Sequence, residues 1–254
     1  MAEAAEPADE TVDWTGRPFS CTDCPHEEMR ASGRCVLGRV CVRDRRARRI
    51  DRFFTGNPDL AGAYLDAPYF EVRTLAAKHA SVFLLPRLMA DPDPEVRAMA
   101  AMRLPLARVA QMAGDPDRKV RIACAMRLTG APLLALFADP DYYVRLTVVR
   151  RLEPDLLPIA TGDPESEVRR TVARRIPLDR LAPLGFDPDP LVRREVAERL
   201  PPESLGYLAA DPDIRIRHTV AERGDRAVVA RLVADPEEAV RLAAAERLQV
   251  LEGN

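Results

Sequence analysis

Residues 163–187 read DPESEVRRTVARRIPLDRLAPLGFD, and the same frame recurs along most of the chain. Asp-Pro stands at Asp91, Asp115, Asp139, Asp163, Asp187, Asp211 and Asp235, each 24 residues from the last with no insertion or deletion. One step upstream, Ala67-Pro68 keeps the Pro and loses the Asp. Four residues after each Pro comes a branched apolar residue: Val72, Val96, Val120, Val144, Val168, Val192, Ile216 and Val240. Arg follows it every time, at Arg73, Arg97, Arg121, Arg145, Arg169, Arg193, Arg217 and Arg241. Eight copies in one register imply a stacked repeat array over residues 67–248. We number these repeats 1 to 8, beginning at Pro68, Pro92, Pro116, Pro140, Pro164, Pro188, Pro212 and Pro236.

Within a repeat, Asp before Pro suggests an N-cap followed by a first-turn proline, with further acid (Asp117, Glu165, Glu237) at the positive helix end. A second proline, Pro94 or Pro190, moves the expected start two residues on. Apolar residues then recur at helical spacing, as in Val168, Val172, Ala173 and Ile176, until Pro105, Pro177 or Pro201 stops the helix. What remains carries leucines three apart: Leu133 and Leu136, Leu181 and Leu184, Leu205 and Leu208. After a helix of ~11 residues and two short connections, only one or two turns fit, and the three-residue spacing predicts a 3₁₀ helix. Nothing alternates with period two, so strands are not expected.

Arg recurs at a second slot, six residues after the first: Arg103, Arg127, Arg151, Arg175, Arg199, Arg223 and Arg247, with His79 in repeat 1. At about 100° per residue the first Arg leaves the core edge rather than the opposite face. Its guanidinium is expected to pair with the Asp-Pro-Asp turn of a neighbouring repeat. A ladder of cations for phosphate is the rival reading, but residues 67–254 hold 28 basic and 28 acidic residues. His79 and His218 are read as structural.

The 254 residues are 47% apolar and 31% charged, enough for a buried core. No apolar run approaches the ~18 residues of a membrane span, and the acidic start is not a secretory signal. A cytoplasmic location is expected. Four of the five cysteines, Cys21, Cys24, Cys35 and Cys41, form a C-x₂-C-x₁₀-C-x₅-C array. Cys124 falls in the slot of Ala100, Val148 and Val172 and is a core residue by register. Four thiolates suit zinc or a [4Fe–4S] cluster, and the uneven spacing fits the larger object better. Beside them, residues 34–52 hold eight Arg (Arg34 to Arg52) against two Asp, either offsetting a cluster's negative charge or offering a nucleic-acid patch. Eight of the thirteen aromatics lie between Trp14 and Phe83, where they are expected to join the cysteine segment to repeat 1. Repeat 8 shows no cap, and its outer face is expected to be a contact surface.

The Asp-Pro…Val-Arg…Arg-Leu-Pro…Leu unit resembles the leucine-rich repeat variant family over residues 67–248. HEAT-like repeats share the phrase Asp-Pro-x-x-x-Val-Arg but need roughly 30 or more residues. The resemblance implies an all-α, right-handed α/3₁₀ solenoid. The cysteine array before it looks like the [4Fe–4S] module found with such repeats, which implies Cys21, Cys24, Cys35 and Cys41 as ligands. The chain is thus expected to divide into residues 1–66, an acidic tail with the cysteine module, and 67–254, the repeats. No enzyme constellation is present: neither a phosphate loop nor a Ser–His–Asp set nor paired metal-binding His. The expected function is an interaction scaffold for a protein partner, its cluster structural or redox-sensing. Electron transfer and nucleic-acid binding through Arg34–Arg52 are the alternatives. Neither a membrane nor a small-molecule substrate is expected.

Overall fold

The computed structural model describes residues 11–252. Two compact units divide the chain, residues 1–136 and 137–254. Each repeat opens with an α-helix: Phe70–His79, Pro94–Arg103 and Arg118–Arg127 in the first unit, then Tyr142–Val149, Ser166–Arg175, Pro190–Arg199, Ile214–Arg223 and Glu238–Glu252 in the second. Within a unit, successive helices pack side by side. The Val or Ile before the first Arg is buried in every repeat, as are Leu104, Leu128, Ile176 and Leu200 at the helix ends. Cys124 is buried too, as its register implied.

In several repeats the form of the second stretch goes with its prolines, although Leu178–Arg180 and Leu208–Ala210 are 3₁₀ without one. Val82–Ala90 and Pro154–Ala160 are 3₁₀ helices with Pro86 and Pro158 inside them. A proline there has no N–H to give an i→i−4 bond, so the tighter turn is retained. Leu106–Gln111 and Arg226–Val229 contain no proline and close as α-helical turns, contrary to the uniform 3₁₀ expectation. Gly130–Ala135 is also α-helical, because its Pro132 falls in the first turn, where the N–H would have no partner anyway.

The Asp before each Pro is not the N-cap. In repeats 2, 3, 4, 6 and 7 the cap is the acid two residues on: Asp93, Asp117, Asp141, Asp189 and Asp213 each accept an N–H of the first turn. The earlier Asp is otherwise engaged. Asp91 Oδ1 accepts the Asp93 N–H, and its two oxygens receive Arg73 of the preceding repeat at 2.8 Å each. The same fork joins Arg97 to Asp115, Arg145 to Asp163, Arg169 to Asp187, Arg193 to Asp211 and Arg217 to Asp235. Nε stands 2.7–2.8 Å and Nη2 2.8–3.1 Å from the carboxylate in these six pairs. The third nitrogen, Nη1, donates to main-chain carbonyls of its own turn, such as Asp163 O and Pro164 O from Arg169.

The second Arg slot caps the preceding helix. Arg103 Nη1 donates to Ala77 O and Ala80 O at 2.6 Å, Arg199 Nη1 to Ala173 O at 2.6 Å, and Arg175 Nη2 to Leu152 O at 2.7 Å. Carbonyls left open at a helix C-terminus thereby gain charged donors. Both Arg series are structural, which removes the main reason to read them as a phosphate ladder.

One rung precedes the repeats without their signature. Helix Ala47–Gly56 and the 3₁₀ helix Pro58–Tyr64 have the same α-then-3₁₀ rhythm, and both pack on Phe70–His79.

Candidate metal centre

The four cysteines sit on two tight turns. Cys24 N donates to Cys21 O at 3.1 Å, so the C-x₂-C pair shares one turn. The C-x₅-C pair flanks a bridge in which Val36 and Val40 exchange main-chain bonds of 2.8 Å. Gly38 lies in this turn at φ +72°, a conformation that other residues rarely adopt. Cys41 N then donates to Arg49 O at 3.1 Å, tying the second turn to helix Ala47–Gly56.

Cys21, Cys35 and Cys41 are buried, Cys24 is half-buried, and all are free thiols. Burial raises the Cys35 thiol, and the fields of Cys24 and Cys21 add to it. Burial pushes Cys41 up to about 12, with Cys35, Asp44 and Cys24 contributing. The four sulfurs therefore share one neighbourhood. Burial thus favours the neutral thiol at Cys35 and Cys41, and holding these two as thiolates requires a strong local positive charge, which bound iron would supply. Among the described residues no three His, Cys, Asp or Glu side chains group as for a metal ion. Four cysteine sulfurs are the donor set that a [4Fe–4S] cluster takes.

Several contacts brace the turns. Arg43 Nη1 donates to Ser20 O and Asp23 O at 3.4 and 3.3 Å, and its guanidinium lies 5.1 Å from the Phe19 ring centre. Arg49 pairs with Asp44 at 2.8 Å, both side chains buried. Two members of the Arg run thus hold the loop rather than facing solvent. His26 Nε2 and the Tyr64 hydroxyl are hydrogen-bonded, joining the cysteine loop to the 3₁₀ helix Pro58–Tyr64. Burial pushes Tyr64 up to about 12, and the fields of Cys24, Cys41 and Cys35 contribute. Sequence reading missed the His26–Tyr64 and Arg43 contacts, which no spacing announces.

The aromatics form the joint to repeat 1. Phe53, Phe54 and Tyr64 meet edge to face at 5.4–6.3 Å, with His26 5.2 Å from Phe53 and His79 6.3 Å from Phe54. Asp51 of helix Ala47–Gly56 accepts from both Lys78 and His79 at 2.9 Å. His79, in the second Arg slot, therefore makes the backward contact of repeat 1 through a side chain instead of a carbonyl. Trp14 stacks on Tyr69 at 5.7 Å. Phe83, expected in this joint, is instead 88% exposed.

Comparison with known proteins agrees with this geometry. The profile described as "LRV protein FeS4 cluster" matches residues 11–63, and that described as "Leucine rich repeat variant" matches residues 167–189 and 190–213. The first match gives the cysteine segment a [4Fe–4S] cofactor rather than zinc. The solved structure titled "A leucine-rich repeat variant with a novel repetitive protein structural motif" is 39% identical, covering 90% of this chain and 98% of that one with a TM-score of 0.84. A curated sequence of Rhodobacter capsulatus, "Uncharacterized 27.7 kDa protein in nifB 3'region", is 51% identical over 94 residues. That alignment spans 37% of each chain.

Proposed function

Because this chain belongs to the leucine-rich repeat variant family, with a [4Fe–4S] segment ahead of its repeats, we propose that it is a protein-interaction scaffold whose cluster controls the first rungs of the array. Cys21, Cys24, Cys35 and Cys41 hold the cluster in this reading. When bound, the cluster supplies positive iron to four thiolates and a redox-active centre. Residues 1–66 then act as the cluster-bearing end and 67–254 as the binding repeats. Among the described residues no helix is long and apolar enough to cross a membrane, and all five cysteines are free. Both features suit a reducing cytoplasm. A binding role rather than catalysis follows from what the side chains do, since the regularly placed charged groups are spent on one another and on the backbone.

One observation carries the proposal. Phe53, Phe54, Tyr64 and His26 form a single aromatic core that reaches the cysteine loop on one side and His79 of repeat 1 on the other. Metal binding to a segment with so small a core of its own contributes folding energy to it. Loss of the cluster therefore loosens repeat 1 and changes the surface a partner meets. Anaerobic protein, brown and carrying about four iron and four sulfide per chain, should lose a low-temperature unfolding transition of its first unit when the iron is chelated. Colourless protein with one zinc, or identical melting with and without iron, would sink the proposal.

A further inference from the structure

Sibling repeats act as an internal control: a slot filled alike in most copies shows what the fold needs, and a departure needs its own explanation. The residue before each Asp-Pro is Ala90, Gly114, Ala138, Gly162, Ala210 or Ala234, but in repeat 5 it is Phe186. The Phe186 side chain is not in the core, being 78% exposed. It stacks on Tyr207 of repeat 6 with ring centres 5.1 Å apart and an interplanar angle of 23°. Tyr207 is fixed in turn, its hydroxyl donating to Ala182 O at 3.0 Å. Gly185 makes room for it, since a Cβ there would overlap the tyrosine ring. Three residues thus combine into an aromatic ledge that packing does not require.

The ledge borders a groove of about 430 Å³ whose lining includes Pro158, Ile176, Pro183, Leu184 and Phe186, with the Asp179–Arg180 pair and Asp187 also on it. That volume is in the range of sites that take a ligand. Leu156, Ile159 and Leu178 are exposed on the same short-helix layer. A second departure coincides with the first. One slot holds Phe83, Ala107, Ala131 and Ala227 in repeats 1, 2, 3 and 7, but Asp155, Asp179 and Glu203 in repeats 4, 5 and 6. All three acids are exposed. Among the described residues, Asp179 alone of the three is in an ion pair, an exposed contact of 3.4 Å with Arg180. An apolar groove with a bare ring face and a flanking row of acids complements a chain that is extended, cationic and rich in flat apolar rings.

We infer that this face of the second unit, from Asp155 to Tyr207, docks an extended basic segment of a partner protein, proline-containing and rich in arginine. Proline packs on the ring ledge in the polyproline II form, which is already extended before binding. An arginine guanidinium lies over the exposed face of Phe186, and others meet Asp155, Asp179 and Glu203. This inference rests on the interaction reading above but concerns the second unit alone, so the two fail separately.

The test uses the full, cluster-loaded chain and a fluorescein-labelled peptide of alternating arginine and proline, about sixteen residues long. Fluorescence anisotropy should show binding that weakens as salt rises. Phe186→Ala installs the residue of four sibling repeats, so it should fold with an unchanged melting temperature and yet bind roughly tenfold more weakly. The triple variant Asp155→Asn, Asp179→Asn, Glu203→Gln should bind weakly and lose most of the salt dependence. Absence of binding by the parent, or equal binding by Phe186→Ala, would overturn the inference. So would a parent that self-associates and a Phe186→Ala variant that does not, because the ledge would then belong to a second copy. Any of these results leaves the iron and unfolding measurements on the first unit, and the reading they test, untouched.

Discussion

The cysteine segment and the repeats solve the same problem in opposite ways. In the repeats, Val, Leu and Ala form the core, and each joint is made by an Arg fork on a carboxylate plus a second Arg on open carbonyls. The next repeat completes the bonds of the last, so the pattern must recur, and it does so at one fixed spacing. Nothing recurs in the cysteine segment. Its turns are held by single contacts, Arg43 on two carbonyls, Arg49 on Asp44, His26 on Tyr64, and burial raises the thiols of Cys35 and Cys41. The repeats are held by contacts between side chains and backbone, whereas in the proposed reading the module takes much of its stability from its cofactor. On the proposal above, this difference makes the first rungs of the array conditional on the cluster.

The largest break in that comparison should come from the metal ligands. Replacing Cys35 or Cys41 by Ala should abolish the brown colour and the bound iron, measured by absorption and iron analysis. Cys124→Ala, in the core of repeat 3, should leave both intact. Next in size is the core of the repeats: Leu157→Ala removes a fully buried side chain and should lower stability by about 2–5 kcal/mol in denaturant melts, with the iron content unchanged. Arg169→Ala strips the fork from Asp187, whose side chain is 4% exposed, and should cost about 2 kcal/mol or more. An unchanged melting temperature would show that the fork does not hold the repeats together.

A smaller effect distinguishes the forks by pH. Burial alone would raise Asp115, but the Arg97 fork and the Asp117 N–H outweigh it and hold the carboxyl below its ordinary value of 3.8. At Asp235 the Arg217 fork does the same. Carboxyls lowered in the folded state contribute stability that is fully present above 3.8 and lost as pH falls through their folded values. Melting temperature should therefore hold nearly level from about pH 7 to 5 and drop below about pH 4. Arg97→Ala should make that drop shallower, because Asp115 then titrates nearly as it does in the unfolded chain.

Legibility in the sequence followed the same division. Exact 24-residue spacing exposed all eight helices, their buried Val or Ile and the partner of the first Arg before any coordinates. Where one residue type serves two purposes the reading slipped. Asp before Pro looked like an N-cap because Asp is a good cap, but its carboxylate is taken by the preceding Arg, and the next acid caps instead. The rung formed by Ala47–Gly56 and Pro58–Tyr64 was hidden because it lacks Asp-Pro and Val-Arg and buries two phenylalanines, Phe53 and Phe54. Residue type narrowed the cofactor of the cysteine array to zinc or a [4Fe–4S] cluster, and the family resemblance favoured the cluster, whereas the turn bridged at Val36 and Val40 that explains the C-x₅-C spacing depends on a single Gly at positive φ.

Hydrogen exchange on the anaerobic, cluster-loaded protein and on the same protein after iron removal tests the central claim most directly. The account predicts faster exchange after removal at residues 14–85, strongest in helices Ala47–Gly56 and Phe70–His79, with little change beyond residue 140. Equal exchange in both forms would contradict it, leaving the cluster no hold on the repeats and making electron transfer the better description of its role.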